Sequence, residues 1–322
     1  MEKSIKFLEY RYAGYIITLL MFITFVAGTI INGGFNWGID FAGGAKIIAK
    51  FNKDVSVQTI RAELHKSEIK AEVQQYGKED LNEYVISTRL APQVKMSEFA
   101  KSFMVKAKEV VEAVEGKSVI DSSKKKEFER LEDALTKSFN KKIEIISREE
   151  VGPSIGDYLK KSALYLLGMC VLLMSVYLAF RFEYRYSIGA ILMILHDVIL
   201  SFFFCGLMSI EINIPIVAGI LTIFGYSVND TIVVYDRIRE NVQIVTKQDF
   251  IEIINKSITQ TLSRTILTTV TTVMAVLCLY FIGEDVINDF ALLLLFGFST
   301  GIFSTIFVAA PALYYLERKR TA

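Results

Sequence analysis

The chain has 322 residues, of which 52% are hydrophobic and 22% are charged, and its formal net charge is +1. A mean hydropathy of +0.39 is too high for an ordinary soluble protein, and the balanced charge gives no indication of a nucleic-acid or polyanionic partner. Three widely separated cysteines and two histidines provide no redox or metal-ligand spacing. Neither a disulfide framework, a metal site nor a bound cofactor is therefore expected.

Six segments are apolar enough to cross a bilayer, for which a helix needs about 20 predominantly apolar residues. More than half of the charged residues lie instead between Gly33 and Lys160. The sequence therefore predicts a polytopic α-helical membrane protein with six transmembrane helices and one extracytoplasmic α+β domain between helices 1 and 2. The predicted domains are residues 1–31, 32–161 and 162–322. The predicted spans are Tyr12–Ile31, Ser162–Phe180, Tyr186–Met208, Ile214–Tyr235, Thr265–Ile282 and Phe290–Leu316.

The short connectors indicate the direction of the spans, because cytoplasmic loops carry an excess of Lys and Arg. Basic residues precede span one, follow span six, and separate spans two from three and four from five. The connectors Ser209–Asn213 and Gly283–Asp289 contain none. Both termini are therefore expected in the cytoplasm, and the large domain outside. The first span is long and lacks a small-residue cleavage site before Asn32, which argues against a cleaved signal peptide.

The outer domain starts with a glycine-containing motif around Asp40, in which Gly38 precedes the acid and Gly43 and Gly44 follow it. Glycine permits backbone turns that a side chain would obstruct. The motif is interpreted as a turn that leaves the membrane and leads into an edge strand.

Apolar spacing in this domain predicts a strand, a helix and three further strands. The strands are expected at Ala45–Phe51, Ile69–Tyr76, Glu83–Arg89 and Lys142–Arg148, and the helix at Ser56–His65. This order favours a small twisted sheet covered by helices. The intervening stretch Lys95–Asn140 is rich in lysine and has two apolar stripes at helical spacing, of which the second contains Leu131, Leu135 and Phe139.

An acid, Asp230, lies inside the fourth predicted span. Ionising a carboxyl group at membrane depth costs at least a few kcal/mol, so an acid there usually has a function. The charged run Asp236–Asn241 follows and places that end of the helix in water. Asp230 is then close enough to this water to exchange protons through a narrow water path. Tyr226 and Asn229 supply polar neighbours. A structural acid whose hydrogen bonds are satisfied is the alternative interpretation.

A cation, Arg264, lies where the fifth predicted span begins, and Thr268 and Thr272 continue its helical face inward. If this polar face meets Asp230, the two residues form a switchable pair. A nearby cation favours the carboxylate, and withdrawal of the cation or of water favours the protonated acid. An interfacial arginine that merely reaches towards water is the alternative.

His196 and Asp197 are adjacent in the middle of the third span. One interpretation is a hydrogen-bonded pair that fixes neighbouring helices. The other is a member of a proton relay or a water site. The sequence alone leaves both open.

Six short motifs occur in a defined order along the chain. The ordered set resembles the SecF family of the Sec protein-translocation machinery, within the resistance-nodulation-division transporter superfamily. The stretch Lys95–Asn140 is longer than is usual for that family. The motifs are Gly38–Gly44, Val151–Gly156, Leu195–Val198, Gly225–Thr231, Asp236–Asn241 and Ser263–Thr265.

The resemblance implies a partner, SecD, that contributes the other six helices of a twelve-helix unit. It also implies docking to the SecYEG channel, often with YajC, in the bacterial cytoplasmic membrane. In this family an H⁺ or Na⁺ gradient drives motions of the outer domain that act on the translocating preprotein. By the same resemblance, Asp230 and Arg264 match the family's ion-coupling acid and arginine, and His196 and Asp197 match a further family motif.

Three other functions are alternatives to this one. An intramembrane aspartyl protease would need a Gly-x-Gly-Asp motif, but Val228 and Asn229 precede Asp230, so the chain is not expected to be an enzyme. A half-unit of an ion-driven exporter of small molecules or lipids, from the same superfamily, is the leading alternative. A passive scaffold, in which the buried charges only hold helices together, is the third.

Overall fold

The computed structural model describes residues 5–51, 55–66, 71–76, 82–89, 131–139, 143–244, 249–283 and 286–321. The chain divides into two compact units, one formed by Met1–Trp37 with Lys161–Ala322 and the other by Gly38–Lys160. The first unit holds the long apolar helices and the second holds a sheet.

The helices and strands are named in chain order. The helices are α1 (Arg11–Ile31), α2 (Ile39–Ala42), α3 (Val57–Lys66), α4 (131–138), α5 (Pro153–Arg181), α6 (Tyr184–Leu207), α7 (Ile214–Ile244), α8 (Phe250–Ile282), α9 (Val286–Ser304) and α10 (Ala310–Thr321). A 3₁₀ turn, Phe7–Tyr10, precedes α1, and a π-helical turn, Thr305–Ala309, joins α9 to α10. The strands are β1 (Gly44–Phe51), β2 (Ala71–Tyr76), β3 (Glu83–Arg89) and β4 (Ile143–Val151).

Six of the described helical segments are long and apolar enough to cross a membrane, which confirms the six predicted spans. Three of the helices continue well past the predicted bounds: α5 begins at Pro153, α7 runs on to Ile244 and α8 begins at Phe250. The extensions of α7 and α8 are joined by a buried hydrogen bond of 2.8 Å from the Asn241 amide to the Ser257 hydroxyl.

The six spans differ in how much of their surface the unit itself covers. In α6, α7 and the span formed by α9 and α10, 56% of the most apolar window is buried, against 11%, 11% and 17% in α1, α5 and α8. Three helices therefore form the packed interior of the unit. The other three leave most of their surface to lipid or to another protein.

The contact between α7 and α9 depends on two small residues spaced four apart, Gly297 and Gly301. A Cβ atom built on Gly297 would overlap Ile223, and one on Gly301 would lie 2.5 Å from the Ser227 hydroxyl oxygen. One turn further on, the hydroxyl oxygens of Thr231 and Thr305 are 2.8 Å apart. The helices therefore run in parallel at close range, as small residues permit in membrane helices.

The second unit is a four-stranded antiparallel sheet in the order β2-β3-β1-β4. The four predicted strands are present, but the interpretation of the first as an edge strand is wrong. Strand β1 pairs with β3 on one side and β4 on the other. Strand order depends on pairing between distant segments, which the local pattern of β1 does not contain.

One face of the sheet packs against α3 and α4. The described part of the second apolar stripe of the stretch Lys95–Asn140 is confirmed, because Leu131 and Leu135 are 1% exposed and Phe139 packs beside them. The remainder of that predicted helical stretch, up to residue 130, lies outside the described residues. The buried core of this unit consists of Ile47, Ala49, Phe51, Ile60, Leu64, Val73, Tyr84, Ile86, Leu131 and Leu135.

The glycine motif at the start of this unit forms a single helical turn, α2, between Gly38 and Gly43. Gly43 adopts φ +72° and Gly44 φ +156°, a region that favours glycine. Gly156 packs so closely against this turn that a Cβ on it would lie 2.9 Å from the Gly43 nitrogen. The glycines therefore allow the chain to turn tightly into β1 while α5 starts beside it.

Candidate functional site

Asp230 lies on the packed side of α7 and is only 5% exposed. Its Oδ2 atom is buried, and no side chain or backbone group in the described part of the chain donates a hydrogen bond to it. A buried charged oxygen without a donor is unfavourable. A bound proton, cation or water molecule would relieve this cost.

Arg264 lies on α8 and is exposed, and its side chain forms no ion pair with Asp230 within 4.0 Å in the described structure. Two interhelical hydrogen bonds bracket both residues. The Tyr226 hydroxyl donates to Thr269 at 3.1 Å on one side, and Asn241 bonds to Ser257 on the other. Asp230 and Arg264 therefore lie at similar heights along α7 and α8, with Asp230 on the packed side and Arg264 on the exposed side.

The threonines of α8 divide between two faces. Thr265 and Thr269 are 6% and 5% exposed and face the packed interior. Thr268 lies on the exposed side and donates to the backbone oxygen of Arg264 at 3.0 Å. The polar face that continues Arg264 is thus directed out of the unit. Asn229 is also exposed.

His196 and Asp197 form a hydrogen-bonded group with a residue of α9. His196 Nδ1 is 2.8 Å from Asp197 Oδ1, and the Ser304 hydroxyl donates to Asp197 Oδ2, also at 2.8 Å. Asp197 is 1% exposed. Both of its oxygens therefore have partners, in contrast with Asp230.

Ser304 was not predicted from the sequence. It bonds to one buried acid, Asp197, and lies level with the other, Asp230. The pairs Ser227–Gly301 and Thr231–Thr305 place Asp230 level with Ser304 along the α7–α9 contact. Ser304 in turn bonds to Asp197 of α6. The small-residue spacing of Gly297 and Gly301 could have indicated this helix contact, but nothing in the sequence pairs Ser304 with Asp197.

The other predicted site residues lie elsewhere. Gly38, Asp40, Gly43 and Gly44 belong to the α+β unit, where they form α2 and the start of β1. The described residues contain no group of three or more His, Cys, Asp or Glu side chains able to hold a metal ion.

Comparison with known proteins identifies the family. Residues 131–319 match the family described as "Protein export membrane protein SecD/SecF, C-terminal", and residues 29–55 match the "SecD/SecF GG Motif". The protein translocase subunit SecF of Endomicrobium trichonymphae is 36% identical over 312 residues, covering 96% of this chain and 90% of that protein. The chain belongs to the SecF family.

SecDF proteins are longer relatives of this SecF-family chain. The protein translocase subunit SecDF of Thermus thermophilus is 34% identical over 303 residues, which are 94% of this chain and 37% of that protein. The crystal structure of SecDF from Thermus thermophilus, described as a translocon-associated membrane protein, superposes with a TM-score of 0.78 at 28% identity. It is matched by 98% of this chain, which spans 39% of the SecDF chain.

The buried bond between Ser304 and Asp197 predicts the effect of removing a hydroxyl group. Replacing Ser304 by Ala leaves Asp197 Oδ2 buried without its donor, which should lower the free energy of unfolding by about 1–3 kcal/mol. Thermal unfolding of the purified chain in detergent measures this effect. The matched control is Ser299→Ala, because that exposed hydroxyl bonds only to the Leu295 oxygen of its own helix, and a change within about 0.5 kcal/mol is expected. Equal effects of the two variants would contradict a stabilising hydrogen bond from Ser304 to Asp197.

Proposed function

We propose that this chain is an accessory subunit of the Sec protein translocase that works with SecD and uses the transmembrane ion gradient to promote preprotein translocation and release on the outer side. The observation that carries the proposal is the Asp230 carboxyl, which is buried in an apolar bundle and has one oxygen that no donor among the described residues reaches. The names of the relatives, protein translocase subunits SecF and SecDF, support the translocase role.

In this proposal, Asp230 binds and releases the coupling ion. With Arg264 near, the carboxylate is stabilised by the positive charge; when α8 shifts, the carboxyl group needs a proton or a Na⁺ ion instead. One charge moving through 100 mV supplies about 2.3 kcal/mol, which is enough to change the ratio of two conformations more than tenfold. The binding step can therefore bias the position of α8 relative to α7.

The SecD partner covers a polar surface at membrane depth on α7 and α8. Asn229 of α7 and Arg264 of α8 are exposed, and lipid tails cannot satisfy an amide or a guanidinium group. Thr222, Gly225, Thr268 and Thr271 are exposed on the same two helices. We call this set, Thr222, Gly225, Asn229, Arg264, Thr268 and Thr271, the polar surface. The SecYEG channel, the preprotein and in many cases YajC complete the assembly.

The proposed topology follows the distribution of Lys and Arg in the connectors, with both termini in the cytoplasm of a bacterial cell and the α+β unit outside the inner membrane. This direction places the charged end of α7 on the cytoplasmic side. The exporter alternative has no observation in its favour, since the relatives are named for protein translocation.

Asp230→Asn keeps the size of the side chain but removes its ability to ionise. Translocation into sealed membrane vesicles that contain the chain, SecD and the channel should lose its gradient-dependent stimulation by about tenfold or more. The assay should be run with the H⁺ and Na⁺ gradients collapsed separately, which identifies the coupling ion.

Asp249→Asn is the matched control, because Asp249 precedes α8 at its N-cap position and asparagine suits that position equally well. It should keep the stimulation. Unchanged stimulation in Asp230→Asn, with the complex intact, would favour the scaffold interpretation instead.

A Cβ atom added at Gly225 meets nothing within 4 Å. Gly225→Phe should therefore leave the unit itself folded but obstruct the polar surface, and SecD that co-purifies with the chain should decrease about tenfold or more, as expected for overpacking an interface. Gly168→Phe is the control, since Gly168 also has open space but lies on α5. Normal SecD recovery with Gly225→Phe, or equal losses with both variants, would show that the partner binds elsewhere.

A further inference from the structure

Two buried polar atoms, one on α1 and one on α6, have no hydrogen-bond partner among the described residues. They are His196 Nε2 and Thr18 Oγ1. His196 as a whole is only 8% exposed. Buried polar atoms in proteins are nearly always hydrogen-bonded, to protein or to ordered water.

The other side of the imidazole determines what Nε2 can do. Nδ1 lies 2.8 Å from Asp197 Oδ1, and Asp197 Oδ2 already accepts the hydrogen bond from Ser304. We take Nδ1 as the donor in this contact, because a carboxylate that also accepts from Ser304 can only accept hydrogen bonds. In the tautomer that this contact selects, Nε2 presents a free lone pair.

Thr18 belongs to the face of α1 whose Phe22 contacts the imidazole. The Phe22 ring meets the imidazole edge-on, with ring centroids 5.7 Å apart, and Thr18 lies one turn before Phe22 on the same face of α1. Helices α1 and α6 run parallel, since contacts advance from Phe22–His196 to a hydrogen bond between Thr29 and Phe203. The His196 side chain leans towards the N-terminus of α6, which is the direction in which Thr18 lies.

We propose that one water molecule is held between Thr18 Oγ1 and His196 Nε2, and that through this water His196 is a proton-exchange site separate from Asp230. The threonine hydroxyl accepts or donates one hydrogen bond, and Nε2 accepts another. Buried waters typically make about three such bonds, and backbone oxygens of the two helices can supply the third. A proton that reaches Nε2 creates an imidazolium held by Asp197 and, beyond it, by Ser304.

The charged and titratable groups around His196 are consistent with an independent site. Asp197 contacts it directly, and Asp230 lies on α7 at the level of Ser304. On the helices packed against α6, the other titratable groups whose side chains are described are Arg11, Tyr12 and Tyr15 of α1, Tyr226, Tyr235, Asp236, Arg237, Arg239 and Glu240 of α7, Asp289 of α9, and Tyr314, Tyr315 and Glu317 of α10. None of these forms a hydrogen bond or ion pair with His196 in the described structure.

The chain makes a direct test possible because it contains only two histidines. His65 is exposed on α3, so His65→Asn leaves His196 as the single histidine. The full chain, labelled with ¹⁵N-histidine and placed in lipid bilayers, can then be studied by solid-state NMR. We expect a protonated Nδ1, a bare Nε2, and magnetisation transfer from water to Nε2. A tautomer with the hydrogen on Nε2 would overturn the proposal.

Thr18→Val tests the water itself, since valine has the shape of threonine without the hydroxyl. In the single-histidine chain this change should abolish the transfer from water to Nε2. Thr24→Val is the matched control because Thr24 is an exposed threonine of the same helix, and the transfer should persist. Persistence in Thr18→Val, or loss in both variants, would overturn the proposal. The tautomer is measured in the single-histidine chain without a threonine substitution, so this measurement does not depend on how the Thr18 and Thr24 variants fold. Neither measurement depends on the translocase function.

Discussion

Placing polar groups inside an apolar helix bundle is unfavourable unless they are hydrogen-bonded. The structure satisfies two buried acids to different extents. Asp197 has a partner for each carboxyl oxygen, one from His196 and one from Ser304. Asp230, at the same level of the bundle, has a buried oxygen that no described protein group reaches. A fully bonded acid stabilises one arrangement of helices, whereas an incompletely bonded acid can change its state when a proton or cation binds.

The helices around these acids differ in how tightly they pack within the unit. Helices α6, α7 and α9 form the interior, held by close approach at Gly297 and Gly301 and by the bond between Thr231 and Thr305. Helix α8 contributes only a narrow buried face and turns Arg264 outwards. Arg264 therefore lies on the exposed side of α8, outside the packed interior that holds Asp230. The chain spans 39% of the solved SecDF chain, which agrees with a unit whose exposed polar face is covered by a partner.

The sequence predicted features that depend on local composition and missed those that depend on contacts between distant segments. The six spans and the depth of Asp230 follow from runs of apolar residues, and both were predicted. The extensions of α7 and α8 could not be predicted, because they rest on the bond between Asn241 and Ser257. The interior position of β1 depends on pairing with β3 and β4. Ser304 is 107 residues from Asp197, and no local pattern relates them.

The central claim is that the Asp230 carboxyl changes its ionisation or ion-bound state as the ion gradient acts. Infrared difference spectroscopy on the chain with SecD in sealed vesicles, with ¹³C-labelled aspartate, measures this directly. On applying and collapsing the gradient, the account predicts a carboxyl band that shifts reversibly and is absent from the difference spectrum of Asp230→Asn. A difference spectrum in which Asp230→Asn matches the unmodified chain would contradict it.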